Sequence, residues 1–172
     1  MEYSPDIIDD LMLDLSLASA LPLASGGRDM IRVIASINAI GCIAKDLTPR
    51  ELRTLEYAIS PLLSLMAADI EEPSAEKAAF TLSCLMASRV CVNQLVSSEG
   101  LLTIGKVFDA LLSTDRNLDL ESASVSRCLV ENLSLVYRSV SLHFPWEVVR
   151  VGAIRHCVML LRRGGLTAKT NV

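Results

Sequence analysis

The chain has 172 residues, of which 51% are hydrophobic and only 4% aromatic, and its net charge is −4. This length is enough for one domain with a hydrophobic core. The apolar residues are mainly Leu, Ala, Val and Ile, which suit packed helices better than an aromatic-rich sheet. The acidic balance argues against nucleic acid as the main partner.

The mean hydropathy of +0.42 raises the question of a membrane span. The longest apolar stretches without a charge, residues 33–44 and 57–68, have twelve residues each. A spanning helix needs about 20 apolar residues, so we expect no transmembrane segment. The N-terminus carries acids, unlike a secretory signal or a transit peptide. A cytoplasmic location is expected, with the nucleus as the open alternative.

The cysteines number five and include no C-x-x-C pair. We expect free buried thiols, as in proteins of reducing compartments. A zinc site would need further ligands, and the chain contains only two histidines, His143 and His156. No metal and no cofactor is therefore expected.

Helical periodicity dominates the chain, with apolar residues at steps of three and four in three long segments. These segments are residues 29–45, 74–88 and 121–137. Each is preceded by residues that favour a helix start. The three start signals are Ser25-Gly26-Gly27, Pro73-Ser74 and Asp119.

Shorter helices are predicted between the long ones. Thr48-Pro49-Arg50-Glu51 combines an N-cap Thr, a Pro at the first helical position and a Glu that completes a capping box. Pro61 should kink or divide the following helix after Ser60, leaving a short helix over 62–68. Residues 89–96 are rich in Val and are compatible with a strand by composition alone.

An internal repeat emerges when the long helices are aligned by their ends. Residues 39–44, 81–86 and 129–134 share an apolar, variable, Cys-or-Asn, apolar pattern. The spacing is 42 residues from Cys42 to Cys84 and 48 from Cys84 to Asn132. Periods of about 40–47 residues are typical of armadillo and HEAT arrays.

The segment Val130-Glu131-Asn132-Leu133 resembles the third helix of an armadillo repeat. Ser98–Leu102, and Gly152–Ile154 followed by Val158–Leu161, resemble junctions of the same repeat type. The resemblance covers most of residues 28–165. It implies an all-α fold, a right-handed armadillo-like helical solenoid of about three to four repeats. A HEAT-like solenoid and an ordinary helical bundle stay open.

We expect a single domain of approximate repeat units. The units are residues 4–46, 48–90 and 91–140 and an incomplete unit over 142–165, followed by a tail over 166–172. In the incomplete unit, Leu160 and Leu161 would lack their usual cover. Such an uncovered end is a sticky apolar surface.

In armadillo proteins the third helices line a concave groove, and the resemblance implies that Asn132 contacts a partner's main chain there. Importin-type adaptors also carry Trp residues that hold lysines, but the matching positions are Asn38, Phe80 and Cys128. We therefore expect a more apolar groove that takes an extended or helical segment of a partner. Its candidate residues, from i, i+4 spacing, are Asn38, Cys42, Phe80, Cys84, Ser88, Ser124, Cys128 and Asn132.

Charge is divided between the two ends of the chain. Residues 1–27 hold five acids and no Lys or Arg, whereas residues 138–172 hold six basic residues against Glu147 alone. Arg155, Arg162 and Arg163 are candidate contacts for an end-on subunit interface or for self-association through the polarised ends. Two solvated ends are the alternative.

Catalytic signals are weak. Gly100–Lys106 matches G-x-x-x-x-G-K, but Val107 replaces the hydroxyl that a phosphate-binding loop needs. His143 and His156 show no convergent cluster along the sequence, and neighbouring helical residues such as His156 and Cys157 point about 100° apart. We expect a non-catalytic protein-binding scaffold, a subunit or adaptor of a larger assembly. An importin-like transport adaptor and a degenerate nucleotide-binding protein are the alternatives.

Overall fold

The computed structural model describes residues 5–20, 27–70, 72–114 and 124–163. These residues form helices joined by short turns, with no strand among them, which confirms the all-α prediction. The helices in chain order are α1 (Pro5–Ala20), α2 (Gly27–Asp46), a 3-10 helix (Glu51–Ala58), α3 (Ile59–Ala68), α4 (Pro73–Leu85), α5 (Arg89–Ser97), α6 (Gly100–Thr114), α7 (Ser124–Ser141), α8 (Pro145–Arg150) and α9 (Ala153–Arg163).

The predicted capping box forms at the start of the 3-10 helix. The Thr48 backbone N–H donates to Glu51 Oε2 at 2.9 Å, and the Glu51 N–H donates to Thr48 Oγ1 at 3.4 Å. The Thr48 hydroxyl also donates to Glu51 Oε2 at 2.6 Å. These hydrogen bonds to the charged form lower the pKa of the Glu51 carboxyl. The helix that follows is of the tighter 3-10 type.

Two boundaries differ from the sequence prediction. The helical path changes from 3-10 to α between Ala58 and Ile59, two residues before the predicted break after Ser60. Pro61 lies in the first turn of α3, where a missing N–H breaks no helical hydrogen bond. The strand considered for residues 89–96 is wrong, because this segment is the helix α5, which buries Cys91, Val92 and Leu95.

Some of the start signals fall beyond the described residues. Ser25, Gly26 and Asp119 lie there, as do Gly164-Gly165 and the tail over 166–172. Pro73 does open α4 as predicted, at the first helical positions.

The helices pack in two rows. In the first row, α2 packs against α4, and α4 packs against α7. In the second row, α1 packs against α3, α3 against α6, and α6 against α9. The rows also contact each other, through α1 with α2 and α3 with α4, and the 3-10 helix packs on α5. The hydrophobic core lies between the rows.

The central helices α3 and α4 each contribute a large part of that core. Helix α3 buries Ile59, Leu62, Leu63, Leu65 and Met66. In α4 every third or fourth position is buried, because its apolar residues follow helical periodicity. Helices α1 and α9 are packed on one side and exposed on the other, which matters for the surfaces described below.

Candidate partner-binding surfaces

Six of the predicted groove residues lie on the first row, two on each of its helices. Asn38 and Cys42 are exposed on α2, and the other four are half-buried on α4 and α7. We call this surface the row face. It consists of Asn38, Cys42, Phe80, Cys84, Cys128 and Asn132.

The joint between α2 and α4 brings the first half of the row face together. Gly41 is buried there, and a Cβ at this position would lie 2.6 Å from Thr81 Oγ1 and 2.9 Å from Phe80 Cε1. The Thr81 hydroxyl donates to the Ile37 carbonyl at 2.9 Å. The two helices can approach this closely because residue 41 has no side chain.

Phe80 is engaged within the chain. The Lys45 ammonium lies 4.6 Å from the centroid of the Phe80 ring, in a cation–π contact. Here the chain supplies its own lysine to one face of that ring.

The joint between α4 and α7 brings in Asn132. Its Nδ2 donates to the Cys128 carbonyl at 2.8 Å. Its Oδ1 lies 3.4 Å from the Ser83 hydroxyl, whose proton is shared with the nearer Phe80 carbonyl at 2.7 Å. A side-chain amide has two N–H donors and two acceptor lone pairs. Among the described contacts, Asn132 therefore keeps a donor and an acceptor position for a partner.

Two of the three thiols of the row face are chemically quiet. Burial raises the pKa of the Cys84 thiol, although nearby Lys45 opposes the shift. Burial and the neighbouring Glu76 and Glu131 raise the pKa of the Cys128 thiol. Both side chains therefore stay protonated at neutral pH and present a neutral, weakly polar surface.

Two predicted groove residues do not contribute to the row face as described. Ser88 is only 1% exposed and follows α4 at the turn into α5, so it is not available to a partner. The backbone of Ser124 begins α7, but its side chain is outside the described part of the structure. The expectation of buried thiols is confirmed for Cys91, whereas Cys84, Cys128 and Cys157 are half-buried and Cys42 is exposed.

The basic residues lie on α9, at the other end of the chain. Arg155 and Arg162 are exposed, and the side chain of Arg163 is outside the described residues. Arg155 Nη1 lies 3.6 Å from Asp109 Oδ1. The prediction that Leu160 and Leu161 lack cover is confirmed for Leu161, which is 56% exposed. It is wrong for Leu160, which is completely buried.

Helix α9 also contributes to a polar cluster around a buried histidine that the sequence did not reveal. His156, 1% exposed, has its Nε2 3.2 Å from Asp109 Oδ1 and its Nδ1 3.1 Å from the Tyr137 hydroxyl. Because a carboxylate only accepts, the assignment that satisfies both contacts has Nε2–H donating to Asp109 and Nδ1 accepting from Tyr137. Burial raises the pKa of the Tyr137 hydroxyl.

The same cluster contains stacked rings. The rings of Phe108, Tyr137 and His156 lie at the corners of a triangle, with centroids 5.0, 5.1 and 6.0 Å apart. Because Phe108, Tyr137 and His156 are all buried, a substrate could not reach their reactive atoms. We interpret the cluster as a structural tie that joins α6, α7 and α9.

A groove that the sequence did not predict lies between α1 and the 3-10 helix. Its volume is about 580 Å³. The residues that line it are Ile8, Asp9, Met12, Leu13, Ser16, Thr54 and Tyr57. Tyr57 is 74% exposed and Leu13 58% exposed, so the groove presents apolar surface to solvent.

The glycine-rich segment Gly100–Lys106 forms the first turns of α6. It follows α5, a helix, whereas a phosphate-binding loop connects a strand to a helix. A Cβ at Gly100 would meet the side chains of Leu95 and Leu63 and the Leu95 carbonyl. The glycine therefore serves close packing of α6 against α3 and α5.

Taken together, these features describe an all-α protein with two rows of helices, a row face across α2, α4 and α7, and an exposed end at α9. Within the described ranges, no helix is long and apolar enough to cross a bilayer, and no group of three or more His, Cys, Asp or Glu side chains is placed to hold a metal ion. Comparisons with protein-family models, curated proteins and solved structures find no match to this chain.

Proposed function

We propose that this chain is a non-catalytic scaffold that binds other proteins through the row face, as a subunit or adaptor of a larger assembly. The observation that carries the proposal is the continuity of the row face across α2, α4 and α7. These helices pack side by side in chain order, and each contributes exposed or half-exposed residues at i, i+4 spacing.

The order of the helices supports an armadillo-like solenoid as the arrangement. The 3-10 helix, α3 and α4 form one triplet within the proposed unit 48–90, and α5, α6 and α7 form the next, which spans 89–141 and slightly exceeds the proposed unit 91–140. Helices α8 and α9 begin a third triplet within 142–165. Equivalent members of the first two triplets pack against each other, as expected when each unit buries its face on its neighbour.

The chemistry of the row face favours an amphipathic helix as the bound segment. Phe80, Cys84 and Cys128 present half-buried, uncharged surface. The ionic residues beside them are paired within the chain, Lys77 with Glu76 at 3.4 Å and Arg127 with Glu131 at 3.1 Å. A partner therefore gains more from apolar contact than from ion pairs.

The remaining donor and acceptor of Asn132 favour a second candidate, an extended peptide clamped by its main chain. Against a lysine-rich transport signal stands Lys45, because this residue already covers one face of the Phe80 ring. An importin-like adaptor is therefore the alternative proposal, and it predicts a different pattern of mutational effects.

A peptide-display selection against the folded chain tests the proposal. We expect the selected ligands to be amphipathic helices, whose affinity falls about tenfold or more in Cys84→Glu, because a charge would be placed in an apolar contact. Asn93→Glu is the matched control, since Asn93 is exposed on α5, away from the first row. The affinity of Asn93→Glu for the selected ligands should equal that of the parent chain.

The same selection can reject the proposal. Equal binding by Cys84→Glu and the parent chain, or the absence of any ligand, would contradict the row face as the binding site. Selected ligands that are extended and basic, and that lose affinity in Asn132→Ala, would favour the importin-like alternative. A separate thermal-shift assay tests the nucleotide-binding alternative. A magnesium-dependent rise in melting temperature with a nucleotide would favour it.

A further inference from the structure

The two end helices of the second row differ from those in its centre. Helix α3 packs against both α1 and α6, and α6 packs against both α3 and α9. Within the described residues, α1 and α9 each have one neighbour in the row. The sides that face away from those neighbours carry exposed large apolar residues, among them Leu13 and Leu17 on α1.

The outer side of α9 forms an apolar ridge with basic flanks. Ile154, Val158 and Leu161 are 61%, 43% and 56% exposed and follow i, i+4, i+7 spacing. Such spacing places the three side chains along one face of a helix, as in helices that dock into grooves. Arg155 and Arg162 lie beside them on the exposed side. The sequence contains no acidic residue after Glu147.

The groove between α1 and the 3-10 helix offers apolar surface and negative charge. The groove of about 580 Å³ has an apolar lining that includes Ile8, Met12 and Tyr57. Asp9 also lines it, and Asp10 is exposed on the same helix. The 3-10 helix on its other side adds Glu51 and Glu56 against Arg53, so this element does not cancel the negative charge.

We propose that the α9 ridge of one copy of this chain docks into the α1 groove of a second copy. In this head-to-tail contact, Ile154, Val158 and Leu161 enter the groove while Arg155 and Arg162 approach Asp9 and Asp10. The contact places α9 of one copy against α1 and the 3-10 helix of the other. It uses different surfaces on the two copies, so it leaves one ridge and one groove open for further copies.

A second copy fits better than an unrelated partner for two reasons. The ridge and the groove belong to the same chain and have opposite charge. Positions 1–27 contain no basic residue, whereas positions 138–172 contain six basic residues and one acidic residue. Both surfaces also combine exposed apolar side chains with those charges. The inference goes beyond the proposed function, because neither surface includes a residue of the row face.

Sedimentation velocity over a concentration series tests the contact. We expect the average mass of the parent chain to rise above the monomer value of 18.7 kDa with concentration, and to fall when salt is added. Leu13→Glu on α1 and Val158→Glu on α9 should each weaken association by about tenfold or more. Both residues are substantially exposed, and unchanged melting curves would show that the variants remain folded.

A mixture of the two variants provides the decisive control. The intact ridge of the Leu13→Glu chain can still enter the intact groove of the Val158→Glu chain, whereas the two altered surfaces repel each other. The mixture should therefore form dimers of twice the monomer mass and nothing larger. Ile31→Glu, at a 70% exposed position on α2, is the matched variant expected to associate like the parent.

The remaining outcomes would overturn the proposal. Association that persists in both variants would show that another surface is used, and a parent chain that stays monomeric would exclude the contact. A photo-crosslinking residue at position 158 identifies what covers the α9 ridge, whether or not the parent chain associates. Crosslinks to α1 of another copy support the proposal, whereas crosslinks to residues 164–172 of the same chain would assign the ridge to the chain's own tail.

Discussion

The joint between α2 and α4 and the tie between α6, α7 and α9 hold helices together by opposite means. The first depends on the absence of a side chain at Gly41, which lets two helices approach closely. The second depends on bulky rings and a buried His156 that bonds to two other helices. Adding atoms should destabilise the close joint, whereas removing atoms should destabilise the tie. Substitutions of opposite kinds should therefore break the two regions.

The largest effect is expected from His156→Ala. It removes a buried ring from the stack and leaves the Tyr137 hydroxyl without its partner, so we expect a loss of about 4 kcal/mol in the free energy of unfolding. Urea denaturation measures this quantity. His143→Ala, at an exposed position before α8, is the control and should change stability by less than about 0.5 kcal/mol. Equal losses of stability in His156→Ala and His143→Ala would contradict the structural role of the tie.

Gly41→Val should have the next largest effect, a loss of about 2 kcal/mol, because the added atoms would overlap Thr81 and Phe80. Ala35→Val on the exposed side of α2 introduces the same residue type into the same helix without this overlap. Gly→Val raises intrinsic helix propensity and Ala→Val lowers it, so a lower melting temperature of Gly41→Val in thermal denaturation would come from packing. A Gly41→Val chain as stable as Ala35→Val would show that the joint can open without cost.

Thr81→Val tests the same joint between α2 and α4 with a smaller change. It keeps the shape of the side chain but removes the hydrogen bond to the Ile37 carbonyl, so we expect a loss of about 1 kcal/mol. Thr54→Val is a suitable control, because Thr54 is exposed and bonds only locally, to the Glu51 carbonyl. Chemical denaturation would contradict the assignment if Thr54→Val cost as much as Thr81→Val.

The smallest effect is expected from the capping box. The pKa of Glu51 is lower in the folded chain than in the unfolded one, so its contribution to stability is present above the unfolded pKa and is lost as the pH falls through the folded pKa. Glu51→Gln should remove that part of the pH dependence, as measured by denaturation at several acidic pH values. Glu99→Gln, at an exposed glutamate for which no capping bond is described, is the comparison variant.

The sequence predicted the three long helices of the first row because their signals are local. Cys42, Cys84 and Asn132 recur at nearly constant spacing, and each sits on an apolar helical pattern, so helix and register could be inferred together. The capping box at Thr48 and the start of α4 at Pro73 are also local, since their partners lie within a few residues.

The tie and the groove could not be predicted in this way. His156 meets residues that are 19 and 47 positions away, and no periodicity shows which turns of α6, α7 and α9 face each other. Ser88 was placed on the face because i, i+4 spacing continued past Cys84, but α4 ends at Leu85 and the chain turns. Leu160 and Leu161 are neighbours in sequence, yet helical rotation buries one and exposes the other.

The exposure of Cys42 has a practical consequence for following this protein in solution. Burial raises the pKa of the thiols of Cys84, Cys91, Cys128 and Cys157, which slows their reaction with alkylating dyes. Cys42 is the exposed thiol on the row face. A maleimide fluorophore added in limiting amounts should therefore label this position first, so that the emission of the natural chain reports directly on whether a ligand covers α2.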